Sequence, residues 1–597
     1  MNESNYPIIN RFSKIVLIIS GIIGLASIIF EYGFGISKRE TFPSHYISVL
    51  VVIIFILYFI VQLIIAKKRL EYFLGHKVDF IIILLILVET IAATVGYSII
   101  EQIGLVLNLK DISYLYIVFA QVYIIVGLLL GGLRYNKKIL QTSLHPSRIF
   151  VLSFLVTIFT GAFLLMLPAS TIGGKINFID ALFTSTSAVC VTGLITVDTA
   201  TFYTEFGQII IMLLIQIGGL GLMTFTTFFA IFLSGGMGIK ERFVLHELLN
   251  EENVGAITKI LSYLVFITLA IELLGAAFLY YSISDVYVSF ERAAFISIFH
   301  SVSAFCNAGF SLYSQNLMDP VVKNNYLFTT VISFLIILGG LGFPTIMGIF
   351  SFEKIKKVGI SSKQGRQIFT RTFNNKLSLE VKTILYTSLA LILIGGLFTY
   401  ILEFNNSLKG LDWFAKIHAA YFQSVSARTA GFNTVSIGEF SDPTSILYSI
   451  LMFIGASPGG TGGGIKTTTF IILMVSIRAI LREERQITLS KRSIQGSIVY
   501  KAFSKVVVSF LVILLGIFIL SLTEKSDVMT ICFEAFSAFG TVGLSKNFTN
   551  LLSETGKYVI ILLMFIGRVG AIAFIYSLLR TKEPVNYELP SENISIL

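Results

Sequence analysis

Four glycines, each at the end of a short apolar stretch, are the residues whose spacing points most clearly to a chemistry. They are Gly193, Gly309, Gly431 and Gly543, and they lie 116, 122 and 112 residues apart. In each stretch a short apolar segment ends in Ser-Ala. The glycine follows a few residues later, and Leu or Phe comes directly after the glycine. The stretches read DALFTSTSAVCVTGL (180–194), ISIFHSVSAFCNAGF (296–310), HAAYFQSVSARTAGF (418–432) and TICFEAFSAFGTVGL (530–544). Recurrence at a nearly constant period indicates an internal repeat.

The chemistry that this pattern favours is cation binding inside a membrane. The stretches are too short to cross a bilayer, and irregular backbone at membrane depth is tolerated only where it is buried in protein or lines water. Four loops around one axis meet that condition together. The C-terminal ends of four short helices would place roughly −2 charges around one cavity, and rings of backbone carbonyls select K+ by replacing its hydration shell. The pattern therefore predicts a carbonyl-lined K+ filter.

The filter prediction covers the four residues up to and including each glycine. The last of these tetrapeptides contains the Thr-Val-Gly core of K+ filters. The alternative is that the stretches are re-entrant turns in another kind of transporter. The predicted K+-binding residues are Cys190, Val191, Thr192, Gly193, Cys306, Asn307, Ala308, Gly309, Arg428, Thr429, Ala430, Gly431, Gly540, Thr541, Val542 and Gly543.

The elements that would hold these loops are long apolar runs. The chain is 55% hydrophobic and only 13% charged, about half the charged fraction of a soluble domain. Since a span needs about 20 apolar residues, the runs predict twelve crossings, and each glycine stretch lies between two of the last eight. No small-residue cleavage site follows the first run, so we interpret it as a span rather than a signal peptide. The runs are 14–33, 45–66, 79–99, 113–133, 148–168, 206–233, 258–281, 326–351, 382–403, 446–480, 502–521 and 556–579.

Basic segments between the runs predict the orientation. Lysines and arginines concentrate at 67–69, 134–138, 352–382 and 478–501, and all four segments fall on the cytoplasmic side if the N-terminus is inside. Both termini are then cytoplasmic, and the cell (inner) membrane is the expected location. The net charge of +10 thus serves as a topology signal, and we expect no nucleic-acid partner. The three cysteines show neither zinc-ligand spacing nor a disulfide framework.

A glycine-rich segment interrupts the run 446–480. That run is too long for one span, and its middle, from Gly455 to Gly464, holds six glycines and Pro458. Glycine and proline inside a helix cost about 1 and 3 kcal/mol each, so the sequence predicts two helical pieces joined by an intramembrane loop. A phosphate-binding loop is the rival interpretation, but Ile465 rather than glycine precedes the lysine and no strand comes before it. The predicted gating residues are Gly459, Gly460, Thr461, Gly462, Gly463, Gly464, Lys466 and Arg568.

Two of these gating residues are positive charges in apolar surroundings, which makes them candidate functional residues. Lys466 would raise a barrier to cations near the path, or it would snorkel or bind a loop carbonyl. Alignment of the second helices places Arg568 where the three other repeats have Gly219, Gly340 and Ala456. Arg568 would set ion occupancy or anchor the loop, and the alternative is a salt bridge that holds the helices together.

Three other charged residues favour structural roles. Arg428 lies three residues before Gly431, and a cation in the path would repel K+, so we expect it to brace the filter from behind. Glu89 and Glu272 lie in apolar runs and could join a proton or ion path. We favour polar partners inside the helix bundle for both.

These motifs together resemble the Trk/Ktr/HKT superfamily of K+ transporters over about residues 145–580. The resemblance implies a translocating subunit of TrkH or KtrB type, a homodimer, and control by a cytosolic nucleotide-binding (RCK-type) ring. Serine at the first filter glycine goes with Na+ transport in that family, so Gly193 implies K+ as the transported ion, with Na+ a candidate activating or coupling ion. The motifs are SAVCVTGL (187–194), SAFCNAGF (303–310), SARTAGFNT (426–434), ASPGGTGGGIKTTT (456–469), SAFGTVGLS (537–545) and GRVG (567–570).

The predicted fold is an all-α integral membrane protein. Four repeats of first helix, pore helix and second helix surround one axis in a pseudo-fourfold arrangement, preceded by four additional N-terminal spans with no pore loop and no arginine ladder. The predicted boundaries are 1–140 for the extension, 141–245, 246–365 and 366–490 for the first three repeats, and 491–597 for the fourth repeat and the C-terminal tail.

The predicted function is K+ uptake through a single channel-like pore. The alternative is a secondary symporter that couples K+ to Na+ or H+, which would favour inverted repeats, whereas units of two spans all enter the membrane in the same orientation. An enzyme is not expected, because the six histidines show no HExxH-type spacing and no Ser-His-Asp set is evident.

Overall fold

A computed structural model describes residues 53–54, 56–58, 60–65, 146–221, 257–349, 378–490 and 492–578. The predicted spans 14–33, 79–99 and 113–133, most of 45–66, and Glu89 lie outside the described residues. Two-residue strands β1 (Thr488–Leu489) and β2 (Arg492–Ser493) pair antiparallel, and the rest of the regular structure in the described part is helical.

The helices from residue 146 onward follow the order expected of four repeats. Each predicted repeat contains a first helix, a shorter pore helix, a glycine-containing loop and a second helix, and in the described residues three of the second helices continue into or lead to another helical piece. They are α1 (Pro146–Leu165), α2 (Phe178–Val189), α3 (Thr199–Phe202), α4 (Glu205–Leu220), α5 (Ile257–Ile283), α6 (Phe290–Phe305), α7 (Tyr326–Leu341), α8 (Phe343–Ile349), α9 (Leu379–Glu403), α10 (Trp413–Ser426), α11 (Asp442–Phe453), α12 (Thr467–Leu481), α13 (Gly496–Thr523), α14 (Val528–Gly540), α15 (Glu554–Val569) and α16 (Ala571–Leu578).

The second helices begin at polar caps that the sequence supplies. Thr204, Asn325 and Ser553 each accept a hydrogen bond from a backbone N–H in the first turn, at the starts of α4, α7 and α15. Such caps satisfy N–H groups that have no partner within the helix. The chain can therefore leave each glycine loop and start a new helix at a defined residue.

The second helices end earlier than the apolar runs predict. Breaks occur at Gly221, Gly342 and Gly570, each with a φ between 78° and 93°, a region open to glycine but costly for other residues. The last break bends α15 and α16 by 98°. The expected spans 326–351 and 556–579 are thus two helical pieces each, because a residue with positive φ interrupts the helical hydrogen-bond ladder.

Helices of consecutive predicted repeats pack against each other, and helices of the fourth pack against those of the first. The second helix of each repeat packs against the pore helix of the next, in the pairs α4–α6, α7–α10, α11–α14 and α15–α2. The last pair joins the fourth repeat to the first, and the Lys557 ammonium lies 2.7 Å from the Asp180 carboxylate across it. These helix pairs therefore form a closed series, in which α15 near the end of the described chain packs against α2 near its start.

The outer surface of this assembly is apolar. Along α9, Leu389, Leu393, Leu397 and Ile401 recur every fourth residue and are all exposed, so they form one face of the helix. Three described helices are long and apolar enough to cross a membrane, namely Tyr263–Ile283, Leu379–Glu403 and Gly496–Thr523, and the bent pair α15–α16 would make a fourth. An exposed apolar face of this kind is suited to contact with lipid. Together with the membrane-spanning helices, it indicates a multi-pass membrane protein.

Candidate ion-binding site and the adjacent loop

The four glycines that the repeat spacing singles out lie next to one another. We call Gly193, Gly309, Gly431 and Gly543 the glycine ring. A Cβ added to Gly193 would lie within 3.0 Å of the Ala308 carbonyl oxygen, in the next repeat. The other three ring glycines make the corresponding contacts within 3.0 Å, Gly309 with Ala430, Gly431 with Val542, and Gly543 with Thr192. These close approaches lead from each loop to the next and from the fourth back to the first, which is the arrangement that the predicted common axis requires.

The backbone of the loops repeats as well. The ring glycines have φ values of 93°, 70°, 76° and 92° in chain order. Two residues before them, Val191, Asn307, Thr429 and Thr541 have φ values of 57°, 60°, 77° and 51°. Non-glycine residues rarely adopt this region, and the surroundings must enforce it where they do. Four loops of different sequence therefore share one backbone path.

A serine near the end of each pore helix holds each loop. Ser187 and Ser537 accept hydrogen bonds from the N–H groups of the ring glycines in their own repeats, at 3.0 and 3.1 Å. Ser303 and Ser426 instead donate to the carbonyl after the glycine, at 2.8 and 2.5 Å. The third loop is one residue shorter, since five positions separate Ser426 from its glycine and six separate the other serines from theirs.

The predicted filter residues lie in these loops, apart from Gly540 at the end of α14, and two of the longer side chains make contacts with the surrounding helices. The guanidinium of Arg428 lies 3.4 Å from the Ser388 carbonyl oxygen on α9. The Cys306 thiol lies 3.7 Å from Glu272 on α5 and 3.9 Å from Gln216 on α4. These contacts place Arg428 behind the loop, as expected from the sequence, and give Glu272 the polar partners expected for it.

The glycine-rich segment forms a loop, residues 454–466, between α11 and α12. Its backbone binds the second helix of the preceding repeat, since the Ser457 and Thr461 N–H groups donate to the Gly340 and Gly339 carbonyls at 3.0 and 3.2 Å. The prediction that the run 446–480 divides into two helices is confirmed. These bonds satisfy polar backbone that would otherwise be unpaired inside the protein.

The same loop contacts two threonines that precede ring glycines, where the pore helices end. The Gly463 N–H donates to the Thr541 hydroxyl at 2.8 Å, and a Cβ on Gly462 would collide with the Thr429 hydroxyl. Both threonines lie two residues before a ring glycine. Only glycine allows the loop to approach the ring this closely.

Two cations donate hydrogen bonds to backbone carbonyls of the loop. Arg568 donates to the carbonyl oxygens of Thr461 in the loop and Gly218 on α4, so it connects the loop to the first repeat. Lys466 donates to the Gly462 carbonyl at 2.8 Å. No salt bridge to either cation occurs among the described residues. Lys466 thus makes the loop-carbonyl contact that was one alternative for it, and Arg568 contacts the loop that it was considered to anchor; their roles in ion occupancy and gating stay predictions.

Sequence reasoning did not identify a set of polar residues buried along the pore helices. Glu534 on α14 accepts a hydrogen bond from Thr549, and the His300 Nε2 on α6 lies 3.0 Å from the Ser311 hydroxyl. The signal was present, because an acidic residue inside the apolar stretch TICFEAFSAFG is unusual. Its partners lie after the glycine, and their proximity depends on a turn that the sequence does not specify.

Comparison with known proteins identifies related chains along most of this one. A family model described as TrkH, cation transport protein, matches residues 119–584. The Ktr system potassium uptake protein B of Bacillus subtilis is 40% identical over 457 residues, which cover 76% of this chain and 97% of that protein. The potassium/sodium uptake protein NtpJ of Enterococcus hirae is 36% identical and is covered to 99%, with 77% of this chain aligned. The crystal structure of the potassium transporter TrkH from Vibrio parahaemolyticus is similar in fold, with a TM-score of 0.57, 16% identity, and coverage of 74% of this chain and 86% of that one.

Proposed function

The chain belongs to the TrkH family of cation transport proteins, and from that premise we propose that it carries K+ through one channel-like pore at the glycine ring. The observation that carries the proposal is the closed series of close approaches, in which a Cβ added to each ring glycine would overlap the carbonyl oxygen just before the next one. Relatives named as potassium uptake proteins support K+ as the ion. The name of the NtpJ relative includes sodium, which supports Na+ as a second ion: activation by Na+ is compatible with the pore, whereas coupling of K+ to Na+ belongs to the symporter alternative.

In this proposal, backbone carbonyls of the four loops replace the water around K+. The pore helices α2, α6, α10 and α14 end at the loops, and the negative ends of four helix dipoles favour a cation. The loops cannot tighten freely around a smaller ion, because the serines near the helix ends bind them. Binding at several carbonyls in sequence then permits both selection and release.

We propose that the loop 454–466 is the gate. It lies against Thr429 and Thr541, each two residues before a ring glycine, and Arg568 donates to it; in this position we infer that it obstructs the path on that side. Its glycines permit a second arrangement separated by a few kcal/mol. Movement of the loop away from the two threonines would open the path without changing the ring.

The assembly and its partners are further parts of the proposal. We propose a homodimer in the cell membrane with both termini in the cytoplasm, regulated by a cytosolic nucleotide-binding ring that contacts the basic segments 352–382 and 478–501. The family match begins at residue 119, inside the predicted fourth span, and we propose that residues 1–140 form an added module of four spans of which the first three precede the match. Flux of the purified chain should be insensitive to nucleotide, and a response without a second protein would contradict this arrangement.

Ion flux into liposomes tests the central proposal. The purified chain should carry K+ and Rb+ in preference to Na+ and Li+, at rates that do not depend on an imposed pH or Na+ gradient. The competing function is a symporter that couples K+ to Na+ or H+. Accumulation of K+ against its gradient, driven by either of those gradients, would support the symporter and refute a passive pore.

A further inference from the structure

Each pore helix carries a buried polar side chain at the same position. The residues are Thr184, His300, Gln423 and Glu534, nine positions before the ring glycine in three repeats and eight in the shorter third. All four are completely buried. The equivalence is independently supported by the next residue, a serine in the first three repeats. Ser185, Ser301 and Ser424 donate to carbonyls of the first helices at 2.6, 2.6 and 2.7 Å.

Three of these side chains contact a residue that follows the ring glycine of the same repeat in the sequence. The Tyr203 hydroxyl donates to Thr184 at 3.1 Å, and the His300 Nε2 lies 3.0 Å from the hydroxyl of Ser311, two residues after its ring glycine. In the fourth repeat the Thr549 hydroxyl donates to Glu534. A pore helix thus holds the loop at both ends, by its serine before the ring and by this side chain after it.

Glu534 makes the most extended of these connections. A buried carboxyl is costly without a hydrogen-bond partner, so its contact with Thr549 is important for holding this part of the chain. Its second oxygen, Oε2, has no hydrogen-bond partner within the described part of the chain, so Thr549 provides its main contact. Thr549 also lies 3.0 Å from the hydroxyl of Ser545, two residues after Gly543. The connection therefore reaches from the middle of α14 to the outer end of the loop.

We propose that Glu534, through Thr549, is a positioning residue that determines how well the ring distinguishes K+ from smaller cations. The inference rests on the proposed function, because it assigns a role in K+ selection at the same ring. A loop fixed at one end only can move its carbonyls toward a smaller ion, whereas a loop fixed at both ends cannot. The contact with Thr549 thus lies outside the ion path and acts on it through Ser545 and Gly543.

The experiment compares K+ and Na+ flux in liposomes for the wild type and four variants. Glu534→Ala and Thr549→Val each remove one side of the contact and should lower the K+/Na+ flux ratio roughly tenfold, equivalent to about 1.4 kcal/mol. The double variant should be no worse than either single variant, because both remove the same connection. Glu534→Gln keeps an oxygen that can accept from Thr549 and should restore most of the ratio.

Controls separate selectivity from folding. Glu554→Ala and Thr555→Val change the same residue types at exposed positions in the same repeat and should leave the ratio unchanged. If the wild type selects K+ and both Glu534→Ala and Thr549→Val retain its ratio, the inference is overturned while the proposed function stands. A fall in total flux and thermal stability with an unaltered ratio also overturns it, since that is the result of a purely structural role. A wild type without K+ preference refutes the proposed function and this inference together.

Discussion

Replacing Gly193 by serine tests the ring at a position where the structure allows a magnitude to be derived. The φ of Gly193 is 93°, and a residue with a side chain costs roughly 1–2 kcal/mol in a left-handed conformation. The new Cβ would also overlap the Ala308 carbonyl oxygen, and overpacking in a filled interior costs about 1–3 kcal/mol. The total strain of roughly 2–5 kcal/mol is placed on two adjacent loops of the ring.

The strain should appear as lost ion discrimination. The neighbouring loop relieves the overlap by turning the Ala308 carbonyl away, and that displacement weakens K+ binding more than Na+ binding because Na+ keeps more of its water in a wider site. If about 1.4 kcal/mol of the strain becomes lost preference, the K+/Na+ flux ratio falls tenfold. The assay is tracer flux into liposomes, with Rb+ and Li+ as further ions.

A matched substitution in the same repeat controls for the effect of the new residue itself. Apart from its chain neighbours, no described residue would lie within 4 Å of a Cβ added to Gly173, and this glycine lies before the pore helix, so Gly173→Ser should keep the wild-type ratio. A Gly193→Ser protein that remains folded and has an unchanged K+/Na+ ratio would refute the assignment of the ring as the filter.

Three further changes probe the loop and the closure of the ring. Deletion of residues 458–464 should raise K+ flux without altering ion preference, because the obstruction is removed and the ring is retained; a folded deletion protein with wild-type flux would place the gate elsewhere. Arg568→Gln should raise flux by a smaller factor, because the loop loses its charged contact at Thr461, and unchanged flux would show that the other loop bonds suffice. Lys557→Met leaves Asp180 without its ion-pair partner and should cost about 1–3 kcal/mol for a pair that is largely but not fully buried, measured as a lower denaturation temperature in detergent. Adding Asp180→Asn to Lys557→Met should recover part of that loss, and two losses that simply add would contradict the pairing.

The sequence predicted the elements that depend on composition and period. Runs of apolar residues located the first helices to within about six residues at each end, and the six glycines from Gly455 to Gly464 located the loop. The repeat of Ser-Ala and glycine singled out the residues that the structure brings together at the ring. That they bind K+ remains a prediction.

What the sequence did not predict depends on contacts between distant segments. The break at Gly342 looks like an ordinary glycine in an apolar run, and its close approach to the backbone of Pro458 and Gly460 appears only in the folded chain. Glu534 was missed because its partner, Thr549, lies 15 positions later in the sequence, beyond Gly543. The contacts of Arg568 with the loop and with α4 span 107 and 350 residues, a separation at which local pattern carries no information.

The packing of α15 against α2 has a consequence for how the protein is made. Synthesis runs at about 5–20 residues per second, and 365 residues separate Val189, the end of α2, from Glu554, the start of α15. The helix α2 is therefore synthesised roughly 20–70 s before α15, against which it packs. During that interval Asp180 has no Lys557 beside it, and the flank of α2 that α15 will cover is open to lipid or to the insertion machinery. Truncated nascent chains that stop before residue 554 should thus remain bound to a chaperone or insertase, whereas chains that include α15 are released.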